Sequence, residues 1–368
     1  MKFKMLYGKD VLSRPSEQGL AADVVIVGAG LIGLAIALEL HERGAAVTVL
    51  ELGHSLAGAS AAAAGMLAAD DPHNPPELQR LARLSVERYP TFLRRIEVLA
   101  GCAVPFQTKT TIQYLTGNTE IRLAEQSIDP RQLAAALLRA VKATSIQVLE
   151  QTEIAAVRET TQGMNVHLSN GAQIASKAIV YAAGAWTAKL SHRLCGVEYA
   201  ISPQKGQMLR VKLPPGLPLS EVHRGEHIYI VPRLYGPQAG TALIGATEED
   251  AGFETTVRAE DLNRLRGLAA ELLPQLKSEA EAPMVEAWAG LRPATPDSLP
   301  ILGGCRRANH FVASGHYRNG ILLAPATAIV MVDLVEGKIP EIDLSAFAPD
   351  RAFICVGEMT DPTAQLLR

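Results

Sequence analysis

Three glycines mark the first place in this chain where spacing alone points to chemistry. Gly28-Ala29-Gly30-Leu31-Ile32-Gly33 is a GxGxxG run between a short β-branched stretch, 24–27, and a segment of helical character, 31–43. In such a run the first glycine permits a tight turn. The second lets the backbone approach a pyrophosphate, and the third lets the helix pack on the strand. The helix start, Leu31 and Ile32, then offers free N–H groups to phosphate oxygens. Glu51, followed by Leu52, ends a second apolar run at 46–50, where a carboxylate can accept a ribose hydroxyl. A structural turn would explain the glycines but not the acid in its place. Strand, turn, helix, strand and acid in order make a dinucleotide site. The fingerprint alone does not separate a flavin from a nicotinamide dinucleotide.

Other chemistries find less support. Cys102, Cys195, Cys305 and Cys355 are far apart and form no CxxC pair, which fits neither a zinc site nor a disulfide framework. Reduced thiols and no metal are the simplest reading. A net charge of -3 argues against nucleic acid as a partner, which needs a basic face. Residues 1–22 lack the apolar core of a secretory signal. No uncharged apolar run reaches the ~18 to 20 residues that span a bilayer. A soluble cytoplasmic protein without an integral membrane segment is expected, and homo-oligomerisation stays open.

The elements that must position the site follow from local pattern. Residues 75–99 read as a helix, 104–115 as strand. Asp129 precedes Pro130 as an N-cap before proline at the first helical position, which starts a helix over 131–142. Short strands are expected at 146–149, 154–157, 165–168 and 178–182. From 202 to 289 the texture becomes alternating, at 207–211, 227–231 and 241–245, around a polar helix at 259–272. A strand at 311–313 and an apolar helix at 321–336, closed by Gly337, return to the first texture. The plan is a parallel α/β domain assembled from distant pieces, with an antiparallel domain inserted.

Four segments together resemble the FAD-dependent amino-acid oxidases, the family of glycine oxidase, sarcosine oxidase and D-amino-acid oxidase. They are the fingerprint, the run from Ala59 to Leu67, the run from Trp288 to Thr295, and the run from Gly315 to Ala326. The likeness spans 23 to about 343 and is nearest to the glycine oxidases of thiamine biosynthesis. It implies a Rossmann-like FAD-binding domain with an antiparallel-sheet substrate domain of the D-amino-acid oxidase type, an α/β fold carrying an α+β insertion. FAD-binding pieces are expected at 23–99, 118–195 and 288–345, and substrate-binding pieces at 100–117 and 196–287. Residues 1–22 are an extension and 346–368 a tail.

By the same resemblance Ala59, Ser60, Ala64, Gly65 and Met66 lie along the flavin, and Ile154 lies near the adenine. His316, Tyr317, Arg318, Asn319, Gly320, Ile321 and Leu322 wrap the isoalloxazine. That last stretch also makes physical sense unaided: a helix starting at Asn319-Gly320 turns its positive end to a reduced flavin.

A small amino acid is the implied substrate and oxygen the acceptor. Hydride passes from the α-carbon to flavin N5, so the protein must fix the carboxylate and keep out water. Arginine suits that task because its planar fork donates two parallel bonds. Arg292 matches the family's carboxylate-binding arginine, and Arg318 is the second candidate. Tyr229 matches an active-site tyrosine, and period-two geometry from a strand at 227–231 places His227 on its side. One departure stands out. Glycine oxidases can carry an apolar residue after the Gly-Ala-Thr turn, whereas Gly245-Ala246-Thr247 is followed here by Glu248 and Glu249. A quinone-reducing dehydrogenase of the same fold, an NAD-dependent enzyme, and a flavin binder without turnover are the other readings.

Overall fold

A computed structural model describes residues 20–115 and 119–352. The chain opens with β1 (Leu20–Val27), α1 (Leu31–Glu42) and β2 (Val47–Leu50), a βαβ unit with both strands parallel. β1 begins at Leu20, not at Asp23, because Leu20 to Ala22 find a partner sequence pattern could not show. They pair with Ile174 to Ser176. Of the expected 1–22 extension, 1–19 lies outside the described residues.

A single turn, α2 (Ala59–Ala62), leads to the long α3 (Gln79–Ala100). Four short strands follow: β3 (Phe106–Thr108), β4 (Thr111–Leu115), β5 (Thr119–Leu123) and β6 (Ser127–Ile128). α4 (Pro130–Lys142) starts where its cap requires, with the Asp129 carboxylate accepting the Arg131 N–H at 2.9 Å. β7 (Gln147–Leu149), β8 (Ile154–Thr160), β9 (Gly163–Leu168) and β10 (Gln173–Tyr181) come next, then α5 (Thr187–Cys195). The alternating region forms β11 (Ser202–Lys212), β12 (Val222–Arg224), β13 (Tyr229–Arg233), β14 (Thr241–Gly245), α6 (Ala259–Leu272) and β15 (Met284–Ala294). β16 (Ile301–Gly304), β17 (His310–Ser314) and α7 (Gly320–Val335) complete the order.

Two large sheets result. The first runs β16-β17-β10-β1-β2-β7, with β9 added antiparallel on β10 and β8 antiparallel on β9. Its central strands are parallel and mostly apolar, with Thr48 of β2 and His310 of β17 among the buried polar exceptions. The second runs β15-β11-β14-β13-β12-β4-β5. It is antiparallel except at one step, where β12 lies parallel to β4. Its membership differs from the expected division at two places. β5, placed with the FAD-binding pieces, pairs with β4, and Trp288 to Ala294, placed likewise, pairs with β11 as part of β15. The division drawn between 117 and 118 falls outside the described residues, as does 353–368 of the tail.

α7 is apolar on every side because it is buried on every side, packed on α1 and α3. It also contains Pro325, which has no N–H to give the carbonyl of Ile321 one turn back. The structure supplies a replacement donor: the fully buried Tyr89 hydroxyl of α3 reaches the Ile321 oxygen at 2.5 Å. Ser85, one turn earlier on α3, accepts the Ala326 N–H at 3.2 Å. Tyr89→Phe keeps the ring and orphans that carbonyl, so it should destabilise the fold by about 1–3 kcal/mol. Denaturant unfolding of the two proteins measures the difference, and equal midpoints would disprove the account.

Candidate active site

A cavity of about 910 Å³ joins the two sheets' functional loops. At one end is the glycine turn. Gly28 has φ +107, and a Cβ there would sit 2.5 Å from the Ala182 carbonyl oxygen. A Cβ on Gly33 would sit 2.0 Å from the Gly28 oxygen, so Gly33 serves the turn from beneath and does not line the cavity. Gly30 is different. A Cβ there would meet only the Ser60 hydroxyl, at 3.6 Å. The protein itself has no need of glycine at that position, and the space it leaves opens into the cavity.

Glu51 and Ser60 fix this turn from outside. The Glu51 carboxylate accepts the N–H groups of Ala29 and Gly53, each at 2.8 Å, and the Ser60 hydroxyl accepts the Leu31 N–H at 3.0 Å. Leu31, Ile32, Leu52, Ala59 and Ile154 share the same wall. Gly65, at φ +87, lies so close to the Ile128 carbonyl that a Cβ would be 2.0 Å from it. Arg233, which sequence reasoning passed over, holds this segment to the second sheet by donating to the Ala64 carbonyl at 2.8 Å. Trp288 does the same for the Ala62 carbonyl at 3.1 Å. Ala64, Gly65 and Met66 thereby line the cavity.

The other end is polar. Arg292 leaves β15 beside Gly206 of β11, where any Cβ would lie 2.3 Å from its Nη2. Its Nη1 donates to the Thr247 carbonyl at 3.1 Å and faces that of Lys205 at 3.5 Å. Two carbonyls thus aim the fork. Tyr229, on β13, adjoins it: burial raises the hydroxyl's pKa while the Arg292 guanidinium opposes the rise. Arg318 lines the same end and stands 3.7 Å from Asp71. Arg224, buried and not anticipated, contacts Asp71 at 3.7 Å and Glu125 at 3.0 Å. Burial works against the charge on Asp71, but Arg224, the His73 N–H and Arg318 together outweigh it and hold its pKa below the ordinary value. No local sequence signal marks this cluster, since its members come from four distant segments.

His316, Tyr317, Asn319, Gly320 and Ile321 complete the wall. Burial pushes the His316 pKa down to about 3, so it is neutral and shares a hydrogen bond with Thr327 at 3.1 Å. Two expectations need correction. Leu322 is not on the wall: its side chain, one residue into the buried face of α7, packs in the hydrophobic core. His227 is not on a strand, because β13 starts at Tyr229 and residues 225–228 form a turn closed by Gly225 N–H to Ile228 O at 2.8 Å. The period-two argument therefore fails for it. His227 lies at the cavity mouth, 77% exposed, 3.7 Å from Glu226.

A family model described as FAD dependent oxidoreductase matches residues 23–127 and 114–334. The chain belongs to that family. Among its relatives is a glycine oxidase of Geobacillus kaustophilus, 34% identical, with 91% of this chain and 98% of the relative covered. A glycine oxidase of Pseudomonas aeruginosa is 32% identical over 89% of this chain and 98% of its own length. A bifunctional protein ThiO/ThiG of Trichormus variabilis is 35% identical over 86% of this chain, which spans about half of that protein. The crystal structure of the Geobacillus kaustophilus enzyme superposes with a TM-score of 0.82 at 31% identity, covering 90% of this chain and 98% of that one.

The flavoenzyme's cavity fits FAD on its own geometry. Phosphates would meet the start of α1 at Ile32, whose N–H no helical carbonyl can accept, while the Leu31 N–H is already given to Ser60. The open face at Gly30 leaves room for a pyrophosphate, and Glu51 and Ile154, on the same wall, would hold the adenosine. The start of α7 at Asn319-Gly320 faces the same cavity as Arg292. Among the described residues no helix is long and apolar enough to cross a membrane, and no His, Cys, Asp and Glu cluster could hold a metal.

Proposed function

We propose that this chain is an amino-acid oxidase acting on glycine or a similarly small amine such as sarcosine or a small D-amino acid. One observation carries the reading: a single cavity holds both the dinucleotide turn and an arginine fork whose direction two backbone carbonyls fix. Bound FAD supplies the two-electron acceptor. Arg292 takes the substrate carboxylate, and the Tyr229 hydroxyl, whose pKa burial raises further above its ordinary value, is placed to hydrogen-bond the substrate. Arg318 braces the flavin-side loop through Asp71 and offers a second cation. Ala64 and Met66, with Trp288 packed against their cluster from behind, form the apolar side of the pocket and exclude water from the reacting carbon.

Loss of two electrons and two protons from glycine leaves an imine, which water hydrolyses to glyoxylate and ammonia. Oxygen takes the electrons and protons to form hydrogen peroxide. A relative named for both ThiO and ThiG supports a role in which the imine feeds thiamine thiazole synthesis. The purified yellow protein should bleach when glycine is added without air. On admitting air it should recover its colour, with peroxide and glyoxylate formed in equal amounts. Bleaching without recovery would favour a quinone-type acceptor, and failure to bleach with any small amino acid would defeat the reading. Reduced thiols, a cytoplasmic setting and an oligomer of like chains belong to the same proposal.

A further inference from the structure

The carboxylate that follows the Gly-Ala-Thr turn has a defined place. After β14 the chain continues beside β11 through a bridge between Lys205 and Glu249, with backbone N–H to O distances of 2.9 and 3.0 Å in the two directions. In extended chain, alternate side chains face opposite ways. Thr247 and Glu249 turn to one side. There the Glu249 carboxylate accepts from Thr247 at 2.5 Å and Gln207 at 2.8 Å, and stands 3.4 Å from the fully buried Lys205 ammonium. Lys205 also holds Glu254 at 2.8 Å. This network, anchored on the buried Lys205, leaves Glu248 the other side, which is the cavity. Its carboxylate lines the wall and accepts a short hydrogen bond from the Tyr317 hydroxyl. Burial and Glu248 together push the Tyr317 pKa up to about 12, while Arg292 and Arg318 oppose the rise. One negative and two positive groups thus surround Tyr317, and the negative one is pinned from behind and in front.

We propose that Glu248 is a specificity-determining residue that makes the cavity reject amino acids carrying a second negative charge. The inference rests on Arg292 as the carboxylate site. With an α-carboxylate on Arg292, anything extending from the α-carbon enters the space between Tyr229, Tyr317 and Glu248. A neutral group or a hydrogen-bond donor is accepted there. A second carboxylate meets a fixed like charge at the cavity rim, and specificity follows from that repulsion.

The test uses the FAD-loaded protein and two probes that cannot reduce it. Succinate and succinamate share the carbon skeleton of aspartate and asparagine, lack the amine, and differ by one charge. Their affinities are read from the change in flavin absorbance, at a pH where both succinate carboxylates are ionised. Wild type should bind succinamate about tenfold or more tightly than succinate, since like charges repel even under partial screening. Glu248→Gln should bring the ratio near one by tightening succinate. Glu248→Asp, which keeps the charge, should keep the preference. The same ratio in wild type and Glu248→Gln overturns the proposal, as does a preference lost in Glu248→Asp. Glycine turnover by the wild type is a separate measurement, so failure of the oxidase reading is told apart from failure of this one.

Discussion

Arg292→Ala should weaken glycine binding by roughly thirtyfold or more while leaving the flavin spectrum nearly unchanged. A guanidinium paired with a carboxylate makes charge-assisted bonds about twice as strong as neutral ones. Truncating one partner of such a pair in a desolvated site costs about 2 to 5 kcal/mol. Arg292 is half-buried, so the lower end applies, and at about 1.4 kcal/mol per tenfold that end gives roughly thirtyfold. Arg292→Lys should recover only part of the loss, because a point charge cannot replace two parallel donors. Gly206→Ala reaches the same fork without touching its charge. The added methyl would lie 2.3 Å from Nη2, and what moves is the free end of a flexible side chain. That variant should stay folded, keep its flavin and lose affinity in the same direction. The measurement is a titration of flavin absorbance with a carboxylate inhibitor, the three variants beside wild type. Equal affinity in Arg292→Ala would remove Arg292 from the site and leave Arg318 as the candidate.

What could be read ahead of the structure is what local chemistry determines. The polar helix at 259–272 and the strand at 241–245 coincide with α6 and β14. Glu260 and Asp261 mark the helix start, and glycines bound the strand. Elements that depend on distant partners were legible only in part. β10 extends back to Gln173, where its residues alternate and only its last half is a continuous apolar run. β15 carries Gly290 and Pro293, which weaken a strand reading, yet it is held over its whole length by β11. That pairing sets Gln204 opposite Arg292 and so brings the arginine to the cavity. The site shows the same division. Gly28, Gly30 and Gly33 announce themselves by spacing. The Arg224, Asp71 and Glu125 cluster does not, because each is an ordinary charged residue until the fold joins strand β12 to two loops. Glu248 stood out only against its family, and its direction needed the Lys205 bridge to settle it.

The three glycines of the fingerprint should respond differently to enlargement, and that difference tests the cofactor site separately from the fold. Valine at Gly28 or Gly33 puts a Cβ within 2.5 or 2.0 Å of a backbone oxygen that has nowhere to go, and Gly28 also sits at φ +107. Those variants should misfold around the turn, and their loss of flavin would prove little. Gly30 has φ -74 and ψ 177, extended geometry that a β-branched residue adopts readily. Its added Cβ meets only the Ser60 hydroxyl at 3.6 Å. As the N-cap of α1, glycine is better than valine by a margin on the order of 1 kcal/mol, which a domain of this size can lose without unfolding. Gly30→Val should therefore retain cooperative unfolding and near-native helix content. The branched side chain would nevertheless fill the approach that a pyrophosphate needs to reach the first turn of α1. Flavin bound per chain after gel filtration should fall to a small fraction of wild type, with thermal unfolding followed on the same sample. A folded Gly30→Val protein with full flavin occupancy would show that the pyrophosphate does not pass over this glycine.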